Sequence, residues 1–192
     1  MEEAGSGMRV KSYSLVGTRA DADLLLWSIS HSLEEHHEFA AMINRSRMGA
    51  YLETPYSYLA MTRRSDYVDD HRHKGQEGTR LGMKPGDTPY LIVYPFVKTR
   101  AWYTLSLEER QQMMSTHFEV GHKYPSVRIH TSYSFGIDDQ EFVVAFDTDN
   151  MEDFLDLVME LRESQASAYT LRDTPVFTCI ARPIRQCLDA LG

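Results

Sequence analysis

The sequence has little cysteine and no long apolar run, and each absence removes a class of protein. Its 192 residues hold two cysteines, Cys179 and Cys187, which is too few for a disulfide framework and indicates a cytoplasmic protein. Cys179 falls in a predicted strand, where packing is its expected role. The longest apolar runs, such as Tyr90 to Phe96, are too short to cross a bilayer, and Met1 to Met8 lacks the features of a signal peptide.

Positive charge is also scarce relative to negative charge. The chain has 20 Lys and Arg against 28 Asp and Glu, which gives a formal net charge of −8. We therefore expect no nucleic-acid partner, because phosphate binding needs a basic face. An anionic small molecule would need a local basic cluster that acts against the overall field. Motifs for nucleotide loops, zinc sites and nucleophile elbows are absent from the sequence.

The second half of the chain has a regular alternation of predicted elements. Ser106, with Glu109 three residues later, forms a capping-box pattern for one helix, and Asn150 can cap another. Strand patterns cover four segments: Tyr90 to Tyr94, Val127 to Phe135, Phe142 to Phe146 and Pro175 to Ile180. Pro95 is expected to limit how far the first of these can extend as a central strand. The order β-α-β-β-α-β is that of a ferredoxin-like unit.

The first half repeats the later part of this pattern. Strands are predicted over Lys11 to Val16, Leu24 to Ile29 and Tyr56 to Met61, with a helix that opens at a second capping box, Ser32 with Glu35. A shift of 119 positions aligns Gly17 with Gly136 and Trp27 with Phe146, although chance similarity between amphipathic segments would give the same match.

The predicted fold class is α+β, with two ferredoxin-like units that form a dimeric α+β barrel within the chain. The N-terminal unit, residues 8–63, is truncated to β-β-α-β, and the C-terminal unit, residues 90–182, is complete. Either the start of the chain has been trimmed, or another subunit covers the place of the missing opening strand and helix. A charged linker loop over residues 64–89 separates the units. His71-x-His73 within it could bind metal, but it has no third ligand nearby, so a solvated loop is favoured.

Several segments of the sequence resemble one known family. They are Ser12 to Asp23, Tyr94-Pro95-Phe96-Val97-Lys98 with Trp102-Tyr103, the helix from Ser106 to His117, Tyr124 to Arg128, and Phe135-Gly136-Ile137-Asp138-Asp139-Gln140-Glu141-Phe142. Their order and spacing are similar to those of the chlorite dismutase family, in the branch of the coproheme decarboxylases. The resemblance implies a homo-oligomeric ring, commonly a pentamer, with haem in the C-terminal unit.

The resemblance also implies roles for single residues. His117 corresponds to the histidine that ligates the haem iron, with His122 as a reserve candidate. Tyr94 and Lys98 correspond to the catalytic tyrosine and basic residue beside the propionates, and Trp102 to a pocket wall. From the residues alone, a lone helix histidine, a strand tyrosine and a loop lysine would be ordinary structural residues.

Two positions depart from the family pattern. Ile129 stands where chlorite-splitting members have a distal arginine, and an aliphatic side chain cannot donate hydrogen bonds to an oxyanion. Gln165 or Ala166 stands where many members have a glutamate that tunes the ligand histidine.

These residues predict a haem-dependent oxidoreductase that resembles a peroxide-dependent coproheme decarboxylase. Its cofactor would be coproheme or haem b with its iron, and its partners would be an iron porphyrin and peroxide. Efficient chlorite dismutation is not expected. The alternatives are a haem carrier or sensor of the same family, and a family member with an empty pocket.

Overall fold

The chain folds into two units, and its last segment belongs to the first of them. The computed structural model describes residues 2–4, 7–67, 83 and 85–192. One unit contains Met1–Ser57 together with Cys179–Gly192, and the other contains Tyr58–Thr178. The histidines of the predicted His71-x-His73 pair lie outside the described residues. Within the described part of the chain, no helix is long and apolar enough to cross a membrane.

The first unit is built on antiparallel strand pairs around β2. Its elements are β1 (Glu2–Ala4), β2 (Met8–Ser14), β3 (Leu24–Ile29), α1 (Leu33–Arg45), a 3-10 turn at Gly49–Tyr51, the end of β8 (Phe177–Ala181) and α5 (Ile184–Asp189). Strand β2 pairs with β1, with β3 and, through Tyr13 and Ser14, with the end of β8.

Ser32 caps α1 as predicted, but only half of the capping box forms. The Ser32 hydroxyl accepts a hydrogen bond from the backbone N–H of Glu35 at 3.2 Å. The Glu35 carboxylate does not return to Ser32, because it bonds the hydroxyl of Ser30. The same Ser30 hydroxyl accepts from the backbone N–H of Ser32 at 3.1 Å.

The strand predicted over Tyr56 to Met61 is wrong, since only Met61 forms a bridge, to Tyr133. Side chains replace the strand ladder at Leu59. The N–H of Leu59 donates to the Asp138 carboxylate at 2.7 Å, and its carbonyl accepts from the Ser134 hydroxyl at 2.8 Å. Backbone groups bonded in this way do not need a neighbouring strand.

The second unit has the predicted ferredoxin-like order. It runs through β4 (Tyr90–Lys98), α2 (Arg100–Thr104), α3 (Leu107–His122), β5 (Val127–Tyr133), β6 (Phe142–Thr148), α4 (Met151–Arg162), a 3-10 turn at Gln165–Tyr169, β7 (Thr170–Arg172) and the start of β8. Strands β5, β6, β4 and β7 pair antiparallel in that order. The predicted α+β class with ferredoxin-like units is therefore confirmed.

Both predicted helix caps of this unit form. The Ser106 hydroxyl accepts from the N–H of Glu109 at 3.2 Å, and the Glu109 carboxylate accepts from the N–H of Ser106 at 2.8 Å. Asn150 caps α4 by accepting from the backbone N–H groups of Glu152 and Asp153. Each helix therefore starts at a fixed point beside its strand.

Pro95 does not limit β4, which contradicts the expectation from sequence. It lies inside a nine-residue strand and pairs with Val143 of β6. The carbonyl of Phe96 accepts from the N–H of Glu141, so Phe96 directs its polar groups toward the β6 side. Neighbouring residues direct theirs to opposite edges, and the missing N–H of Pro95 therefore removes no bond to β6.

One face of the second sheet packs against α3 and α4. Its buried core consists of Ile92, Val120, Val127, Phe146 and Leu157, with Tyr94 and Val144 among the residues packed against it. Side chains alternate along a strand, so Ile129 shares the face of Val127. The candidate site lies on this helix-covered face.

The two glycines aligned by the 119-residue shift share an uncommon backbone conformation. Gly17 has φ of 81° and Gly136 has φ of 69°, and both values lie in the left-handed region that side chains disfavour. Each glycine follows the strand that precedes its turn. This correspondence favours a repeat over chance similarity.

Candidate functional site

Lys98 ends β4 with its side chain buried rather than solvated. It is 9% exposed, and its Nζ donates to the carbonyl of Ala166 at 2.6 Å and lies 4.4 Å from the ring centroid of Trp102. Burial lowers the pKa of Lys98 to about 8, although the charge of Glu141 opposes the shift. The lysine can therefore exist in both protonation states near neutral pH.

His117 lies on α3 and is partly buried. Burial and, to a smaller extent, the positive charge of Lys98 lower the pKa of His117 to about 4, so its imidazole is neutral at neutral pH. The structure thus brings two of the predicted site residues into electrostatic contact. His122 is exposed at the end of α3, and five residues turn a helix by about 140°, so it faces another direction.

Ala166 is one of the two candidates for the position of the tuning glutamate. It is 2% exposed, and its carbonyl oxygen accepts the Lys98 ammonium. Gln165, the other candidate, is exposed. Neither residue has a carboxylate, and the Ala166 carbonyl lies beside Lys98.

Tyr94 and Ile129 lie on either side of Phe146. The Tyr94 ring stacks on Phe146 with centroids 5.7 Å apart, and Ile129 is the cross-strand partner of Phe146. Burial, with a contribution from Asp173, raises the pKa of Tyr94, while Arg162 opposes the shift. Ile129 is 43% exposed, so this face of the sheet presents an uncovered apolar side chain.

A buried carboxylate that the sequence argument missed holds the strand end in position. Glu141, 8% exposed, accepts from the backbone N–H of Lys98 at 2.8 Å and from the Tyr103 hydroxyl at 2.5 Å. Burial and this carboxylate raise the pKa of Tyr103. The available signal was the position of Glu141 directly before a strand, within a segment that resembles the family.

The donor set suits a haem held through one imidazole. Among the described residues, no group of three or more His, Cys, Asp or Glu could hold a bare metal ion. A porphyrin supplies four nitrogen ligands itself and takes a further ligand from the protein, and the His117 imidazole is neutral. The flat apolar faces of a porphyrin suit the uncovered side chain of Ile129. The residues present therefore fit the group.

Comparisons with known proteins match this chain to a known family. The family model for chlorite dismutase matches residues 1–182. A coproheme decarboxylase from Mycolicibacterium smegmatis is 31% identical over 167 residues, which are 86% of this chain and 70% of the relative.

Solved structures give the same result at the level of the fold. A variant of chlorite dismutase from Candidatus Nitrospira defluvii superposes with a TM-score of 0.86 at 25% identity, over 95% of this chain and 78% of the other. The complex of the same enzyme with imidazole gives a TM-score of 0.85 at 25% identity and the same coverage. Chlorite dismutases and coproheme decarboxylases are haem-binding proteins, so the haem prediction is confirmed at the level of the family. The chain belongs to the chlorite dismutase family.

Proposed function

We propose that this protein is a peroxide-dependent coproheme decarboxylase, in which the iron porphyrin is both substrate and source of iron. For each group removed, a propionate, a proton and hydrogen peroxide become a vinyl group, carbon dioxide and two water molecules. The observation that carries the proposal is the position of His117, a partly buried imidazole beside Lys98 on the helix that covers the sheet. The relative named coproheme decarboxylase supports the choice of substrate.

His117 would hold the iron through a ring nitrogen, and the bound iron would supply the reduction of peroxide. A neutral imidazole has a free lone pair for a metal, and His117 is neutral at physiological pH. Trp102, 3% exposed, would help to keep water away from this side.

Tyr94 would relay an electron from the propionate. Because burial raises its pKa, the phenol keeps its proton at Oη until it is oxidised. Loss of an electron would then be accompanied by loss of that proton, since a charged phenol in this apolar setting is unfavourable. The stacked Phe146 ring fixes the orientation of Tyr94.

Lys98 would orient a carboxylate and exchange a proton at Nζ. An ammonium has three N–H donors, and the carbonyl of Ala166 accepts one of them. The others could bind a propionate through charge-assisted hydrogen bonds. With a pKa of about 8, the group can both give and take a proton near neutral pH.

Ile129 argues against chlorite as the substrate. Its side chain has no hydrogen-bond donor for an oxyanion, so we expect little chlorite dismutation. Family membership also supports a homo-oligomer, and a ring of five stays a prediction.

A haem carrier or sensor is the second candidate. The observation that favours it is a neutral residue, Gln165 or Ala166, where many family members have a tuning glutamate. A proximal histidine without a carboxylate partner is a weaker electron donor to iron, which would slow peroxide chemistry and leave binding intact.

The first experiment is an anaerobic titration with ferric coproheme, followed through the Soret band, and then measured additions of peroxide with propionates counted by mass spectrometry. We expect saturable binding that is lost in His117→Ala and kept in the control His122→Ala. Tyr94→Phe should bind coproheme but lose decarboxylation by at least 100-fold, on the order of a missing proton-transfer group. The control Tyr124→Phe removes a hydroxyl bonded to Glu160 from the same core and should stay active.

The outcomes separate the candidates. Saturable binding with bleaching but no loss of propionates would favour the carrier or sensor. Equal binding by wild type and His117→Ala would exclude the assigned ligand. A wild-type protein without any Soret change would exclude haem binding.

A further inference from the structure

Strand β3 is paired along one edge only. Within the residues that the structure describes, it forms a ladder with β2 and with no other strand. The ladder begins where the N–H of Leu15 donates to the carbonyl of Asp23 at 2.8 Å. Bonded pairs recur at every second residue of an antiparallel ladder, so Leu25, Trp27 and Ile29 direct their backbone groups toward β2. The other three residues of β3 direct theirs away from it.

The outer edge of β3 therefore presents three N–H and three C=O groups, those of Leu24, Leu26 and Ser28. No backbone partner for these groups lies within the described part of the chain. Such an edge is a template for another strand, and natural proteins usually protect it with charged residues or proline. Strand β3 contains neither, and every residue in it except Ser28 is apolar.

The corresponding strand of the second unit is paired along both edges. The shift of 119 positions that aligns Trp27 with Phe146 places β2 on β5 and β3 on β6. Strand β6 pairs antiparallel with β5 and also with β4. Beside β3, the place of β5 is filled by β2, whereas no described strand fills the place of β4. The open edge of β3 is thus the edge at which this fold takes a further antiparallel strand.

The open edge of β3 is complementary to itself. When Leu26 lies opposite Leu26 of a second copy across a two-fold axis, Leu24 lies opposite the second copy's Ser28. The outward residues then form three pairs, and each pair exchanges two backbone hydrogen bonds. The same register places Leu25 opposite the second copy's Trp27, and apolar pairs of this kind stabilise a sheet. Because β3 has no charged residue, no like charges meet within the paired strands.

We propose that β3 binds β3 of a second copy of this chain, antiparallel and with Leu26 on the two-fold axis. An interface of this kind uses the same surface patch on both copies. It joins the first units of two chains and does not depend on the proposed function. If other surfaces build a larger assembly, this contact doubles it.

The first test compares the mass in solution of wild type, Leu26→Pro and Leu26→Ala by sedimentation equilibrium. Proline removes the outward N–H at the centre of the contact, and an edge strand tolerates proline where its N–H faces away from the sheet. Leu26→Ala is the matched control, since it shortens the side chain and keeps the N–H. We expect wild type and Leu26→Ala to have about twice the mass of Leu26→Pro, with circular dichroism to verify the fold of each.

A cysteine on the proposed two-fold axis tests the register. The Cα atoms of a bonded antiparallel pair are about 5.5 Å apart, which a disulfide can span. Oxidised Leu26→Cys should therefore form a covalent dimer on a non-reducing gel. Ser28→Cys is the control, because its two copies would lie about 13 Å apart along the strands. The natural thiols of Cys179 and Cys187 are 0% and 1% exposed, so they should not react in the folded protein.

Equal masses of wild type and Leu26→Pro, together with no disulfide in Leu26→Cys, would overturn the proposal. Slow hydrogen exchange at the amides of Leu24 and Ser28 would in that case mean that a strand of the same chain covers the edge. A disulfide in Ser28→Cys but not in Leu26→Cys would overturn the two-fold register. If Leu26→Pro failed to fold, the two cysteine variants would decide the question alone.

Discussion

At the scale of single residues, the site depends on two basic groups that are both shifted toward neutrality. Lys98 and His117 lie close enough for the charge of the lysine to lower the pKa of the histidine, and burial lowers the pKa of each. Two charged groups in this position would repel each other and lose hydration. The folded chain therefore favours a neutral imidazole, which is the form that binds a metal.

This arrangement predicts a dependence of stability on pH. The pKa of His117 falls from its ordinary value of 6.5 to about 4 in the folded chain, so the unfolded chain binds more protons between these values. The free energy of unfolding should therefore decrease as the pH falls from about 6.5 toward 4. Urea unfolding of the haem-free protein at pH 7 and pH 5 would measure it, with an expected contribution from His117 on the order of 1 kcal/mol.

The variant His117→Leu isolates this contribution, because leucine does not titrate. Its stability should fall less than that of wild type between pH 7 and pH 5. If both proteins lost the same stability over that range, the imidazole would not be desolvated in the folded chain, and its assignment as a ready ligand would lose its electrostatic support.

At the scale of elements, the sequence correctly predicted helix starts and strands that depend on local periodicity and on capping residues. The helix starts at Ser106 and Asn150 and the strand Leu24–Ile29 are confirmed. The predictions fail where contacts between residues distant in sequence decide the local structure. Leu59 bonds side chains more than 70 residues away, and the edge to which Pro95 directs its nitrogen depends on the partner strand β6. The short helix α2 (Arg100–Thr104) has no side-chain cap that could mark it.

The same limit applies to the site. Family spacing indicated His117 and Trp102, and the chemistry of Ile129 followed from its residue type. The acceptor of Lys98, Ala166, is 68 residues away, and the carboxylate beneath its backbone, Glu141, is 43 residues away. No period connects such positions, so the burial of Lys98 could not be inferred. The boundaries at residues 63 and 90 stay predictions, and so do the roles of the predicted site residues: Tyr94, Lys98, Trp102, His117 and Ile129.

Glu141 connects three elements, which predicts a large effect of its substitution. Glu141 lies directly before β6, and its carboxylate bonds the end of β4, through the N–H of Lys98, and α2, through the Tyr103 hydroxyl. Glu141→Gln removes the charge and offers one acceptor oxygen instead of two. Because both bonds to the carboxylate are buried or half-buried, we expect a loss of about 1–3 kcal/mol in the free energy of unfolding, measured by urea denaturation.

Tyr103→Phe is the matched variant, since it removes one of the two bonds and keeps the ring packed on Phe135. It should cost about 1 kcal/mol. In the double variant the losses should be less than additive, because both substitutions break the same contact. Strict additivity would mean that the hydroxyl and the carboxylate stabilise the unit independently.

At the scale of the whole chain, the first and last segments close one unit. Strand β2 pairs with the end of β8, and the Ser12 hydroxyl donates to the carbonyl of Arg182 at 2.7 Å. Helix α5 follows directly and buries Cys187. The first unit is therefore completed by residues that follow the second unit in the sequence.

This closure predicts that both thiols are inert in the folded protein. Cys179 and Cys187 are 0% and 1% exposed, and burial raises the pKa of each, that of Cys179 to about 12. A disulfide reagent attacks through the thiolate, so at pH 8 it should titrate no thiol without denaturant and two in guanidinium chloride. In Cys187→Ser the number of thiols titrated in guanidinium chloride should fall to one.

Fast reaction of a single thiol in the folded wild type, absent from Cys187→Ser, would mean that α5 opens locally while the strands stay paired. Slow reaction of both thiols at one rate would instead report cooperative opening of the unit that the two chain ends share.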